Sequence, residues 1–200
     1  MKLLTDTCGL TQYIETVGVG SVDSIVKPST TFKLLQGAAP VKFTRVLGVS
    51  EVRVRAFWSQ FLSSADGREY AALHPHLRGK SLEQLVHSLP CTLHEDAGPF
   101  SKKQSTMIVS WSSLLGRGKE KECKFPIMSS VKRKKVLQCT DAHAWAMVLA
   151  DFAALATGID PSTGEPWYQD GNSIWHLILL FSKADMEGIG AWGGAELCKC

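Results

Sequence analysis

Apolar residues recur at three- and four-residue intervals through Val54, Phe57, Trp58, Phe61 and Leu62. That period predicts an amphipathic helix over 51–64, with Arg53 and Arg55 away from the centre of its apolar face. Asp66-Gly67 is expected to end it, and Leu73-His74-Pro75-His76 reads as a turn. Leu82, Leu85 and Val86 then form the inward side of a short helix after Ser81, and Pro90 closes this part of the chain near residue 88. Before residue 50 the pattern is weak. Val17-Gly18-Val19-Gly20 and Lys27-Pro28-Ser29-Thr30 read as loop with short extended pieces.

Beyond residue 88 the period shifts toward two. Cys91 to Glu95 reads as a short strand, Ala97-Gly98-Pro99 as a turn, and 105–115 as a longer strand containing Met107, Ile108, Val109 and Trp111. Gly116-Arg117-Gly118 breaks it. Residues 124–128 and 134–139 are two further expected strands around a basic turn. A helical stripe follows in Trp145, Val148, Leu149, Phe152 and Leu155, with Asp141 as its expected cap and Gly158 and Pro161 beyond its end. Residues 162–171 read as loop. The near-continuous apolar run from Ile174 to Phe181 predicts a strand covered on both faces. Strands, one long helix and another buried strand argue for an α/β sheet at 89–200, preceded by a mixed or helical region at 1–88.

Composition adds little to the fold but constrains the chemistry. Two hundred residues, 44% hydrophobic and 20% charged, suit a globular chain with one core. The formal net charge is +3, yet Arg117, Lys119, Lys121, Lys124, Lys132, Arg133, Lys134 and Lys135 face only Glu120 and Glu122 within their segment. Such a block suits phosphates, and Lys132-Arg133-Lys134-Lys135 also matches a minimal nuclear-import patch. The early acid in Met1-Lys2-Leu3-Leu4-Thr5-Asp6 argues against a signal peptide. No apolar run is long enough to cross a bilayer. Scattered Cys8, Cys91, Cys123 and Cys139 fit reduced thiols, so the expected location is intracellular, with the nucleus indicated by the basic patch. Gly18-Val19-Gly20 lacks the third glycine of a dinucleotide loop, and Gly118-Lys119 lacks the spacing of a phosphate loop. No local Cys–His pair supports a nucleophile.

Asp96 and Asp185 each follow an expected strand. Groups outside adjacent strand ends of an α/β sheet converge although distant in sequence. Two such carboxylates suit Mg²⁺, a hard cation that takes oxygen ligands. Glu95 should point away from Asp96, and His94 should share its face.

Leu93-His94-Glu95-Asp96-Ala97-Gly98-Pro99-Phe100, followed by Ser105 to Trp111 and Ser112-Ser113-Leu114-Leu115-Gly116, resembles the first hairpin of transposase-like proteins with a ribonuclease H-like core, from element-derived families of protists and fungi. Leu179-Leu180-Phe181-Ser182-Lys183-Ala184-Asp185-Met186-Glu187 resembles their second acidic motif, with Ala184 where glycine is usual. The likeness covers roughly residues 88 to 200. It implies a partial ribonuclease H-like mixed sheet with one main packed helix, with Asp96 and Asp185 as the first two acids of a triad holding Mg²⁺ or Mn²⁺ against a DNA phosphodiester. The family's third acid comes from a helix after the second aspartate. Glu187 and Glu196 are the acids beyond Asp185 here, so the expectation is a fragment or remnant that is inactive alone, with Glu187 the nearest substitute. Cys198-Lys199-Cys200 resembles half of a cysteine knuckle and implies zinc only if other ligands complete it. The alternatives are a non-enzymatic nucleic-acid binder using the basic segment 117–135 through Lys132, Arg133, Lys134 and Lys135, and an α/β domain with a structural role.

Overall fold

Helices dominate the first half of the chain and a mixed sheet the second. The structure, a computed structural model, describes residues 15–17, 23–38, 40–101, 104–132 and 138–184. In chain order the elements are β1 (Glu15–Val17), β2 (Asp23–Ile25), α1 (Pro28–Ala38), α2 (Pro40–Leu47), α3 (Glu51–Ser63), α4 (Ala65–Leu73), α5 (Leu82–Leu85), β3 (Ser88–Ser101), β4 (Gln104–Ser113), α6 (Glu120–Cys123), β5 (Phe125–Lys132), α7 (Gln138–Thr157), β6 (Gln169–Asp170), β7 (Ser173–Ile174) and β8 (His176–Ala184). The protein has an α/β fold. Among the described residues, no helix is long and apolar enough to cross a membrane.

The sheet has the order β1-β2-β5-β4-β3-β8. Strands β3, β4 and β5 form an antiparallel meander, and α7 then carries the chain over so that β8 lies parallel to β3. Such a parallel pair needs a crossover of this kind. Phe152 of α7 meets Trp111 of β4 edge to face at 6.1 Å, which puts Leu93 and Trp111, directly paired across β3 and β4, on the face that α7 covers. The apolar run in β8 is buried through Leu177, Ile178 and Leu180.

The helices before residue 88 pack on this sheet, and one hydrophobic cluster includes Phe43, Trp58 and Leu85 together with Leu93, Trp111 and Leu177. Trp58 is fully buried and its Nε1 donates to the Ser88 carbonyl at 2.7 Å. His74 Nε2 donates to the Leu179 carbonyl at 2.9 Å, while its Nδ1 accepts from the His76 N–H at 3.2 Å. Gly48 has a φ of 73°, and a Cβ there would stand 2.2 Å from the Leu115 carbonyl oxygen, so the turn between α2 and α3 sits directly on the end of β4.

Several sequence expectations are corrected. Lys27-Pro28-Ser29-Thr30 is not loop: Pro28 opens α1, where its missing N–H costs nothing. Ser29 donates its N–H and its hydroxyl to the Asp151 carboxylate of α7 at 2.8 and 2.7 Å. Asp66-Gly67 does not end a helix but lies inside α4, whose start Ser64 caps by accepting the Gly67 N–H. Ala97-Gly98-Pro99 is strand, paired with Met107, Thr106 and Ser105. Helix α7 begins at Gln138, so Asp141 lies within its first turns instead of capping it. Gln138 and Cys139 are therefore helical, not the end of a strand over 134–139, and 133–137 lie outside the described residues. Leu149 is 45% exposed and takes no share of the core that Val148, Phe152 and Leu155 enter.

The loop after α7 is held by a buried carboxylate. Asp160 accepts from Lys33 Nζ and from the Ser162 N–H and hydroxyl at 2.9 and 2.7 Å. Lys33 also lies 4.7 Å from the Trp167 ring centre. The Lys33 bond, then the Ser162 hydroxyl, hold the Asp160 carboxyl down at about 2. With an unfolded value near ~3.9, the unfolded chain binds more protons between these limits. The stabilisation is complete above about pH 4 and is lost as pH falls toward 2. Denaturant titrations should show the stability gap between the wild type and Asp160→Asn narrowing over that window. A gap that stays constant from pH 5 to 2 contradicts this assignment.

Candidate functional site

Strand β3 alternates its side chains across the sheet. Glu95 pairs with Val109, lies on the α7 face with Leu93 and Trp111, and is buried at 6% exposure. Asp96 pairs with Ile108 on the opposite face and is exposed, as is Ile108. The expectation that the two acids diverge holds. His94 shares the Asp96 face and its Nε2 is 2.9 Å from the Ser112 hydroxyl.

The pairing of β3 with β8 contains an irregularity a few residues before its described end. Cys91 pairs with Leu179, but Thr92 pairs with Phe181, so Leu180 is an extra residue on β8. Beyond it His94 pairs with Lys183 and Glu95 with Ala184. An uninterrupted register from Cys91 and Leu179 sets Ala184 opposite Asp96. The bulge advances β8 by one residue, so the last described pair is Glu95 with Ala184, and Asp96 is the next residue of β3. Bulges of this kind commonly re-aim a side chain at the rim of a site. Asp185 and Glu187 lie outside the described residues, as do Cys198 and Cys200. Among the described residues, no three His, Cys, Asp or Glu side chains form a group suited to a metal.

The basic segment is divided by the sheet. Arg117, Lys119 and Lys124 precede β5, while Lys132 ends it. Seven strand steps separate Phe125 from Lys132, roughly 23 Å. Lys132 leaves the sheet at the edge toward which β3 and β8 both run: Asp96 pairs with Ile108, Ile108 with Ser129, and Lys132 is three residues further on. Two strand spacings and three steps put its backbone roughly 14 Å from that of Asp96. Arg133, Lys134 and Lys135 lie outside the described residues.

Among the described residues, His176 and several tryptophans serve packing. His176 is half-buried against Gly158, and burial first, the Lys80 charge second, hold its ring below the usual histidine value. Trp111, Trp167 and Trp175 are buried. Cys91 is a free, fully buried thiol that burial pushes far up, and Cys123 is free and half-buried.

At the start of β5 the structure assembles a cluster that a window along the sequence does not reveal. Arg45 of α2 and Arg53 of α3 lie beside Arg117 and Lys119 of the β4–β5 connection. The Arg117 N–H donates to the Arg45 carbonyl at 2.9 Å, and Arg53 Nη2 donates to the Leu115 carbonyl at 2.6 Å. Burial first, and the Arg117 charge second, hold the Arg53 guanidinium below its usual value.

No family model, curated protein or solved structure matches this chain.

Proposed function

We propose that residues 89–200 belong to a partial ribonuclease H-like core of the transposase-like kind, and that Asp96 and Asp185 are its ion-holding acids. The observation that carries the reading is the parallel pairing of β8 with β3, in the register that pairs Glu95 with Ala184, the residues that precede Asp96 and Asp185 in the sequence. The strand order β5-β4-β3-β8, a three-strand meander followed by a helical crossover to the far side of its first strand, supports the same assignment. The donor chemistry fits: Asp96 is exposed and offers the hard oxygens that Mg²⁺ or Mn²⁺ prefers. A bound divalent ion supplies charge stabilisation for phosphoryl transfer. In this reading the chain's own residues hold that ion at the sheet edge, and the segment begun by Lys132 draws a DNA backbone toward it and serves nuclear import.

Ion holding and cleavage are separate capacities. Among the described residues, Glu95 faces α7 on the other side of the sheet, and no three acids or other metal-ligating side chains form a group. In this reading residues 1–200 hold the ion with two acids and lack a third that fixes its geometry, so most of the electrostatic benefit is lost. Purified residues 1–200 with Mg²⁺ or Mn²⁺ should therefore give little or no strand cleavage or joining on a DNA duplex. Metal-dependent cleavage that disappears in Asp96→Asn or Asp185→Asn contradicts the inactive reading and makes Glu187 the first candidate for the missing acid.

A further inference from the structure

Arg45, Arg53, Arg117 and Lys119 come from three separate segments that the fold locks together. The Ser113 hydroxyl donates to the Leu47 carbonyl at 2.6 Å, and a Cβ on Gly116 would stand 2.3 Å from the Val46 carbonyl oxygen, so the end of β4 and the end of α2 are in direct contact. Arg45, Arg117 and Lys119 are exposed, as is Lys42 one turn before Arg45. Among the described side chains, Glu122 is an acid that reaches this group, 3.4 Å from Arg45 Nη2 and 3.4 Å from the Lys119 backbone nitrogen. The cluster retains a clear excess of positive charge on a backbone that cannot readily rearrange.

We propose that Arg45, Arg53, Arg117 and Lys119, with Lys42, form a phosphate-tracking surface for duplex DNA at the end of the sheet remote from Asp96. The proposal rests on the nucleic-acid reading above but not on the acid pair. Guanidinium forks suit phosphate oxygens in a way that point charges do not, and three of the five cations are arginines. The arrangement along the sheet also favours a duplex. Lys124 directly precedes β5 and Lys132 ends it, and that strand is roughly 23 Å long, close to the length of about seven base pairs at the ~3.4 Å rise of each strand. A duplex lying along the strands meets both ends.

Anisotropy titrations of the full chain with a fluorescent DNA duplex, in EDTA and across a series of salt concentrations, test the proposal. The wild type should bind with an affinity that falls steeply with salt. The double variant Arg117→Glu/Lys119→Glu should bind at least ~10-fold more weakly, and its log K against log salt slope should shrink by about 2, the release expected for two lost phosphate contacts. Should that variant fail to fold by circular dichroism, Arg45→Gln and Lys119→Gln are read singly, each reducing the slope by about 1. Absence of wild-type binding at low salt, an unchanged slope in the variants, or equal competition by polyglutamate overturns the proposal. Asp96→Asn should bind metal-free DNA as the wild type does. Loss of ion binding with DNA binding intact therefore counts against the acid pair alone.

Discussion

Replacing Trp58 by alanine should cost about 3–5 kcal/mol, the usual range for emptying a large aromatic site in a core. The indole is fully buried, meets Phe57 and Phe61 edge to face at 5.0 and 5.7 Å, and donates to the Ser88 carbonyl where β3 begins. Alanine removes the packing and leaves that carbonyl without its partner, so two costs add. Trp58→Phe separates them: the ring volume is largely kept, and the loss should fall toward the ~1 kcal/mol of a single hydrogen bond plus a residual cavity. Urea denaturation should show a large drop in midpoint for Trp58→Ala with little change in slope. A shift worth under ~1 kcal/mol contradicts the view that α3 anchors β3.

Phe152→Ala should have an effect of the same size, about 3–5 kcal/mol. Phe152 is 3% exposed and packs on Trp111, so its loss opens a void between α7 and the sheet face that also carries Glu95. Leu149, three residues earlier on the same helix, is the internal control. Because it is 45% exposed, Leu149→Ala should stay within about 1 kcal/mol of the wild type. Equal effects at the two positions contradict the orientation of α7.

The contrast between those two residues shows how far the pattern of the chain could be read. Periodicity correctly located α3, β4, β5 and β8, and placed most of α7, because each buries a regular stripe. It assigned Leu149 to the core because the stripe on α7 is broad, and only the position of the sheet decides which side is covered. Ala97-Gly98-Pro99 has turn composition, yet its ladder with Met107, Thr106 and Ser105 overrides that preference. The start of α1 was obscured because Ser29 is satisfied by Asp151, a partner 122 residues away. At the candidate site, the divergence of Asp96 from Glu95 followed from simple alternation, but Asp96 lies inside β3, paired with Ile108, and not after a strand as expected. The extra residue Leu180 was not legible either, since nothing in Leu179-Leu180-Phe181 marks a bulge. The cluster of Arg45 and Arg53 beside Arg117 depends on long-range contacts with the end of β4, which no charge count along the chain detects.

The claim that Asp96 and Asp185 jointly hold a divalent ion is tested most directly by titrating Mn²⁺ into the full chain and following free Mn²⁺ by electron paramagnetic resonance. The account predicts one Mn²⁺ bound in the wild type and its loss in both Asp96→Asn and Asp185→Asn, with Glu95→Gln retaining it because that side chain lies on the α7 face. Binding that survives either aspartate substitution, or that is absent from the folded wild type, contradicts it.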